Sequence, residues 1–539
     1  MVVAIGSWTL WGLLALVAVY VYRRSSQPQR RLPPGPKPLP LLGNARDFPL
    51  DGTPEHLHWL KHKDVYGGIS SVTVMGMTLV IVHDKRMAHD LLDQIASKTS
   101  GRPSMVMANK LCGYESIVLC QGYNPMFRRY RRFLHQELGT KTSSAQFRDV
   151  QEAEVGRQLV RALKEPPLFM TNRTRHRTAA ATVLQMAYGY TTEPHKPDAL
   201  VELIEKMMTE FSLAASPMAW AVDIIPTLQY LPENFPGASF KKTAKKWRKS
   251  IQASAYIPYE YVRRRMAEFT DRPSYVSKLV TQLERDNADG KLSAEDEQAV
   301  IWTAASLYGA AADTTVITLT TFTLAMLKFP EVQRKAQAEI DRVVGTGRLP
   351  NFEDRENLPY VNALVKEALR WWTITPMSFP HTTTEEFEYE GYFIPKDAFI
   401  LPAVYWFNHD PEVYAEPDSF DPDRYLPPRD EPDPTIETFG YGRRICPGRF
   451  FADSSLYLNI AQTLAAFDLR WDVDENGKEL EVDVKPKAGI LSYPTDFKCR
   501  AVPRSKKHVE LVEQIERKHP FQPSDASLLQ NPDEFQVRY

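Results

Sequence analysis

The sequence predicts a mostly helical protein with minor sheet, built as one large domain behind an N-terminal membrane-spanning helix. Three observations predict it. From Met1 to Tyr22 there is no charged side chain, and a helix of about 20 apolar residues crosses a bilayer core. From Ser293 to Phe329 apolar periodicity runs without a proline, the pattern of one very long helix. Apart from a short strand pair near residue 75, helical patterns dominate to about residue 375.

In the first segment, "VVAIGSWTLWGLLALVAVYVY", Trp8, Trp11, Tyr20 and Tyr22 suit the two membrane interfaces. Arg23, Arg24, Arg30 and Arg31 follow it, so the positive-inside tendency puts the N-terminus outside and the bulk of the chain in the cytosol. The segment reads as a signal anchor over residues 1–22. A cleaved secretory signal is the rival, but it lacks a basic start and a clear small-residue cleavage site. Residues 23–44 form a basic, Pro-rich linker in which "LPPGPKPLPLLGN" prevents helix and favours a stiff extended spacer.

Residues 45–503 are the expected domain. "SSVTVMGMTLVIVHD" reads as two strands around Met75-Gly76-Met77. Ser293 and Asp296 form a capping pattern for the long helix, which ends at Phe329-Pro330 and would span about 50 Å. Pro330 opens a second amphipathic helix that Gly345 closes. Past Arg370 the chain becomes turn-rich, and residues 504–539 read as a polar, peripheral tail.

With 66 basic and 67 acidic side chains, the chain has no charge bias suited to nucleic acid. Four cysteines, Cys112, Cys120, Cys446 and Cys499, show no paired spacing, which gives zinc or a disulfide framework little support. Cys446 lies in "FGYGRRICPGRF". Gly440, Gly442 and Gly448 allow tight turns and close approach to a flat ligand, and Pro447 fits the first position of the helix that follows. Such a helix N-terminus favours a thiolate. On these residues alone, Cys446 is a structural cysteine, a nucleophile or a metal ligand.

The segment satisfies F-x-x-G-x-R-x-C-x-G through Phe439, Gly442, Arg444, Cys446 and Gly448, and so resembles the cytochrome P-450 superfamily. The resemblance implies a P-450 fold with haem b. Cys446 would be the axial thiolate on the iron, Phe439 would shield the sulfur, and Arg444 would pair with a haem propionate. "KEALRWW" supplies Glu367 and Arg370, 79 residues ahead of Cys446, and "FDPDRYL" supplies Arg424; the resemblance implies a structural Glu367, Arg370 and Arg424 network. The same E-x-x-R spacing at Glu154, Glu260, Glu331 and Glu339 reads as solvated ion pairs.

"YGAAADTTV" in the long helix resembles the family's distal segment, which implies Asp313 and Thr314 as the acid and alcohol of a proton relay. Ala311 stands where the family often has glycine. "NPMFRRYRRFLH" resembles the helix whose tryptophan and arginine hold a propionate. Arg131 keeps the arginine role, whereas Phe127 lacks an indole N–H, so one hydrogen bond to a propionate is expected to be missing or replaced. Arg128, Arg129 and Arg132 read either as surface charges or as a basic face for an acidic redox partner. In "TPMSFPHTTTEE" the resemblance places His381 at a propionate and Ser378 and Phe379 at the substrate pocket, with Tyr308 from the long helix.

"HWLKHKDVYGGISSVTVMG" and "HDPEVYAEPDSFDPDRYL" are similar to fungal members of the family, the group that contains O-methylsterigmatocystin oxidoreductase. The implied activity is a monooxygenase of the endoplasmic reticulum membrane. It would use O2 and electrons that NADPH cytochrome P-450 reductase takes from NADPH, since the chain carries no nicotinamide or flavin fingerprint of its own. Its substrate would be a lipophilic small molecule, by the resemblance one of secondary metabolism. Oxidative phenol coupling, oxygen-independent isomerisation or dehydration, and non-enzymatic haem binding in the membrane are the alternatives. Asp313 and Thr314 speak against the last two.

Overall fold

A computed structural model describes residues 30–40, 42–49, 52–166, 169–170, 177–194, 196–216 and 219–537. The expected membrane anchor lies outside the described residues.

The helical layer contains α1 (Pro125–Leu138), α2 (Arg148–Lys164), α3 (Arg177–Tyr188), α4 (Ala199–Ala214), α5 (Ser239–Ala267), α6 (Ala294–Lys328), α7 (Pro330–Val343), α8 (Pro359–Trp371), α9 (Arg449–Ala466) and α10 (Lys506–Lys518). Helix α6 is the long one. Ser293 caps it by accepting the Asp296 N–H at 3.1 Å, and Pro330 ends it by opening α7. Among the described residues α6 is the helix long and apolar enough to cross a membrane, yet most of its apolar stretch is buried inside the protein. It is the axis of the core, packed by α1, α3, α5 and α9.

The main sheet holds β1 (Ile69–Val74), β2 (Met77–Val82), β3 (His381–Thr382) and β4 (Phe399–Pro402), in the order β1-β2-β4-β3. The β1–β2 hairpin turns at Met75-Gly76, and β2 runs parallel to β4 with Leu79 opposite Phe399. The Pro-rich linker is docked on this sheet. Ser71 donates its N–H to Pro34 O at 2.8 Å and its hydroxyl to Pro33 O at 2.6 Å.

Two further strands, β5 (Phe467–Trp471) and β6 (Cys499–Pro503), pair antiparallel. They lead into α10, which corrects the expectation of a peripheral tail. Leu511 and Val512 are buried, and Ile515 seats against Gly156 of α2, where a Cβ would come within 2.5 Å of its methyl. Beyond α10, buried Asp525 accepts from the Thr191 N–H at 2.8 Å and from Arg272 at 2.6 Å, and Phe535 stacks on Tyr256. The tail is polar in composition, but in α10 Leu511, Val512 and Ile515 fall on one face turned to the core.

Two expected solvated ion pairs are also corrected. Glu339 is buried and accepts the Tyr360 and Val361 N–H groups at 3.0 and 2.9 Å, which caps α8 from α7. Glu154 pairs with Arg157 as expected but is itself buried.

Candidate active site

Beneath the core axis lies a cavity of about 740 Å³, within the size range of small-molecule sites. Its lining is mostly apolar, and Cys446, Phe439, Gly448, Arg444, Arg131, His381, Ser378, Phe379, Asp313 and Thr314 all reach it. Helix α6 presents Ser306, Gly309, Ala310, Asp313 and Thr314, which is one helical face at spacings of three and four. Tyr308 falls off that face. It is buried, with its hydroxyl 3.4 Å from Leu200 O of α4, and does not line the cavity, contrary to expectation.

The loop carrying Cys446 is built before it meets any ligand. Cys446 N–H donates to Phe439 O at 2.8 Å, closing the segment on itself. At Gly442 φ is +50°, and a Cβ would stand 2.2 Å from Leu92 O, so this position demands glycine. Helix α9 begins at Arg449 with Gly448 as its cap; Pro447 therefore precedes the cap, and is not the first helical residue as expected. Cys446 as a residue is half-buried. Burial pushes its pKa up, while the Gly448 N–H and the positive charges of Arg131 and Arg449 pull it down. A cation against the sulfur would complete that second set.

The polar rim depends on residues 99–102. Gly101 exchanges hydrogen bonds with Thr382 of β3 at 3.0 and 3.1 Å, and a Cβ there would stand 2.7 Å from Thr382 O. This close approach gathers three parts of the chain. His381 Nδ1 lies 3.0 Å from Thr99 O, Arg444 donates to Ser100 O at 2.9 and 2.7 Å, and Arg102 donates to Phe379 O and Pro380 O at 2.9 and 2.8 Å. Sequence reasoning missed Arg102, which sits in a loop without periodicity or motif.

Among the described residues Arg102, Arg131 and Arg444 have no carboxylate within ion-pair distance. Burial first, then the charges of Arg102 and Arg131, bring Arg444 down to about 8, and burial brings Arg102 down to about 10. Arg444 Nη1 is buried with no partner among the described residues. A wall with surplus positive charge and an orphaned donor fits a ligand bearing anionic groups. Haem, with two propionates and an iron that takes a thiolate, fits this cavity on those grounds. His381 is the weaker holder: burial keeps it neutral, and its Nδ1 proton is directed to Thr99 O, so Nε2 carries a lone pair and donates to a carboxylate only after gaining a proton.

On α6, Asp313 is buried, its hydrogen-bond partner is Tyr493, and burial raises it to about 6 against that bond. Thr314 donates its hydroxyl to Ala310 O at 2.9 Å, leaving its lone pairs for the cavity. Ala311 lines the same wall. Of the α1 arginines, Arg129 is tied to Glu295 and Asp296 at 2.9 and 3.0 Å, while Arg128 is exposed.

Beside the cavity, Glu367, Arg370 and Arg424 meet with every side chain fully buried. Arg370 grips Glu367 with two bonds of 2.8 Å, and Arg424 donates to Glu367 at 3.0 Å and to Glu431 at 2.7 Å. Tyr425 and the Asp421 N–H also donate to Glu367, at 3.0 and 2.9 Å. Two carboxylates thus balance two guanidiniums, and Glu431 and Tyr425 are members the spacing did not reveal.

Known proteins share this sequence over nearly their full lengths. Cytochrome P450 monooxygenase CLM2 of Gibberella zeae is 46% identical over 521 residues, 96% of this chain and 98% of its own. The multifunctional cytochrome P450 monooxygenase af510 of Aspergillus fumigatus is 46% identical, with 96% of each chain covered. O-methylsterigmatocystin oxidoreductase of Aspergillus flavus is 36% identical, covering 97% of this chain and 96% of its own. Such coverage puts this protein among the haem-thiolate monooxygenases. The cytochrome P450 family model matches residues 33–499, and the chain belongs to that family.

Proposed function

We propose that this cytochrome P450 oxidises a lipophilic small molecule of fungal secondary metabolism. In this reading it is anchored in the endoplasmic reticulum membrane by residues 1–22, with its catalytic domain in the cytosol. Electrons come from NADPH through a separate diflavin reductase. The observation that carries the proposal is one apolar cavity lined together by Cys446, by Arg102, Arg131 and Arg444, and by the Asp313–Thr314 pair. The names of the relatives, among them O-methylsterigmatocystin oxidoreductase, support the substrate class.

Cys446 would hold the haem iron, Arg102, Arg131 and Arg444 its propionates, and Phe439 and the Gly448 N–H the environment of the sulfur. Bound haem supplies the iron centre at which dioxygen is activated. Leu119, Phe211, Phe379 and Leu491 give the substrate an apolar surface and exclude water. Asp313, raised to about 6, holds and releases a proton near neutral pH. Thr314 acts as an acceptor that orients a water, because its own proton is committed to Ala310 O.

The reduced, carbon monoxide-bound protein is the direct test. The thiolate-type red-shifted absorption is expected in the native chain and lost in Cys446→Ser; retention in that variant overturns the ligand assignment. Comparing metabolites of a deletion strain with its parent, then supplying the accumulated compound to enzyme, reductase and NADPH, identifies the substrate.

A further inference from the structure

The stretch from Gly489 to Tyr493 touches both the cavity and the proton-bearing acid. Gly489, Ile490, Leu491 and Tyr493 line the cavity, while Tyr493 is hydrogen-bonded through its side chain to Asp313. The same stretch is fastened from behind. Lys487 N–H donates to Tyr493 O at 2.7 Å, Ser492 N–H to Ile374 O at 2.8 Å, and the Trp372 indole N–H to Ser492 O at 2.7 Å. The donor facing Asp313 is therefore held by the connection that leaves α8, independently of α6.

The other titratable or charged groups on the cavity wall are Glu205 from α4, Arg102, Arg131 from α1, His381 from β3, and Arg444 and Cys446 from the loop before α9. Tyr308 stands on α6 away from the cavity.

We propose that Tyr493 is a positioning residue that fixes the Asp313 carboxyl and couples this acid to the turn that meets substrate. The inference rests on the reading of Asp313 as the proton carrier. A phenol O–H directed at a carboxyl stabilises its ionised form, so Tyr493 opposes the burial that favours the neutral acid. A substrate pressing on Ile490 or Leu491 acts on the segment that carries this donor, so occupancy of the cavity and the proton affinity of Asp313 are linked.

The test uses full-length enzyme with its reductase. Product formed per NADPH consumed is followed against pH, and the infrared band of the protonated carboxyl is titrated in parallel. Tyr493→Phe keeps the ring and removes the donor, and its carbon monoxide spectrum reports an intact haem site. It is expected to move the Asp313 midpoint upward by about one pH unit. Asp313→Asn is expected to abolish that titration, and the double variant to match Asp313→Asn alone. If Asp313→Asn leaves both the profile and the band unchanged, the proton-carrier reading falls. If Asp313→Asn removes the titration while Tyr493→Phe matches the native enzyme, or if the two effects add, that reading stands and the role of Tyr493 is overturned.

Discussion

The guanidinium carbon of Arg444 lies 3.7 Å from the centre of the Phe127 ring. Phe127 cannot offer an N–H donor, and it serves as the platform on which a buried cation rests. A desolvated cation–π contact contributes about 2 kcal/mol. Phe127→Leu keeps an apolar side chain and removes the ring, so it is expected to cost about 2–3 kcal/mol and to speed haem loss. Thermal unfolding and transfer of haem to a scavenging apoprotein measure both; unchanged haem release would show that Arg444 is positioned by its bonds to Ser100 O and, at 2.8 Å, to Gln121 O.

Glu367 is fully buried and accepts from both the Arg370 and Arg424 guanidiniums. Glu367→Gln retains the shape and removes the charge, leaving Arg370 and Arg424 with only Glu431 nearby. Breaking a buried pair in this way costs about 3–5 kcal/mol. Denaturant unfolding is expected to show that loss, with a smaller fraction of chains incorporating haem.

Truncation can be placed from the linker contacts. Arg31 O accepts the Phe393 N–H at 2.8 Å, and Pro33 O and Pro34 O accept from Ser71. Removal of residues 1–29 is expected to release the protein from membranes with its haem spectrum intact. Removal of residues 1–38 strips those bonds from the sheet and is expected to lower the unfolding temperature. Equal stability of the two truncated proteins would show that the linker adds nothing.

Acid should weaken the sheet side of the fold. Burial lowers His56, His62 and His83 to about 4 and His409 to about 3. Their folded values lie below the unfolded one near 6.5, so the unfolded chain binds more protons as pH falls. The stability they contribute is full above about pH 6.5 and is lost below it, by about 1 kcal/mol for each histidine at pH 5.5. Thermal unfolding at pH 7.5 and 5.5 is expected to differ by several degrees; an unchanged midpoint would mean that these rings reach water.

Several features were legible because they are local. The capped start of α6 at Ser293, its stop at Pro330, the β1–β2 hairpin and the ten-residue Cys446 segment each depend on neighbours within a few positions. The sequence also identified Glu367 and Arg370 as an i,i+3 pair, and Asp313 and Thr314 as adjacent on one helix. The helix ends and the hairpin need only helical periodicity, proline geometry and short-range spacing, whereas Glu367–Arg370 and Asp313–Thr314 are singled out by the family resemblance, since the same E-x-x-R spacing recurs at Glu154, Glu260, Glu331 and Glu339.

Tertiary structure decided what depends on partners far along the chain. It turned Tyr308 toward α4, set Tyr493 on Asp313, brought Arg102 beside Arg444 and His381, and made the polar C-terminal residues a packed element through Leu511, Val512 and Ile515. Glu339, spaced like a surface ion pair, became the cap of another helix. The physical reason is one of range: helix and turn preferences are settled by a residue and its near neighbours, whereas the burial of a charge, its hydrogen-bond partner and its proton affinity are settled by whatever the fold packs against it.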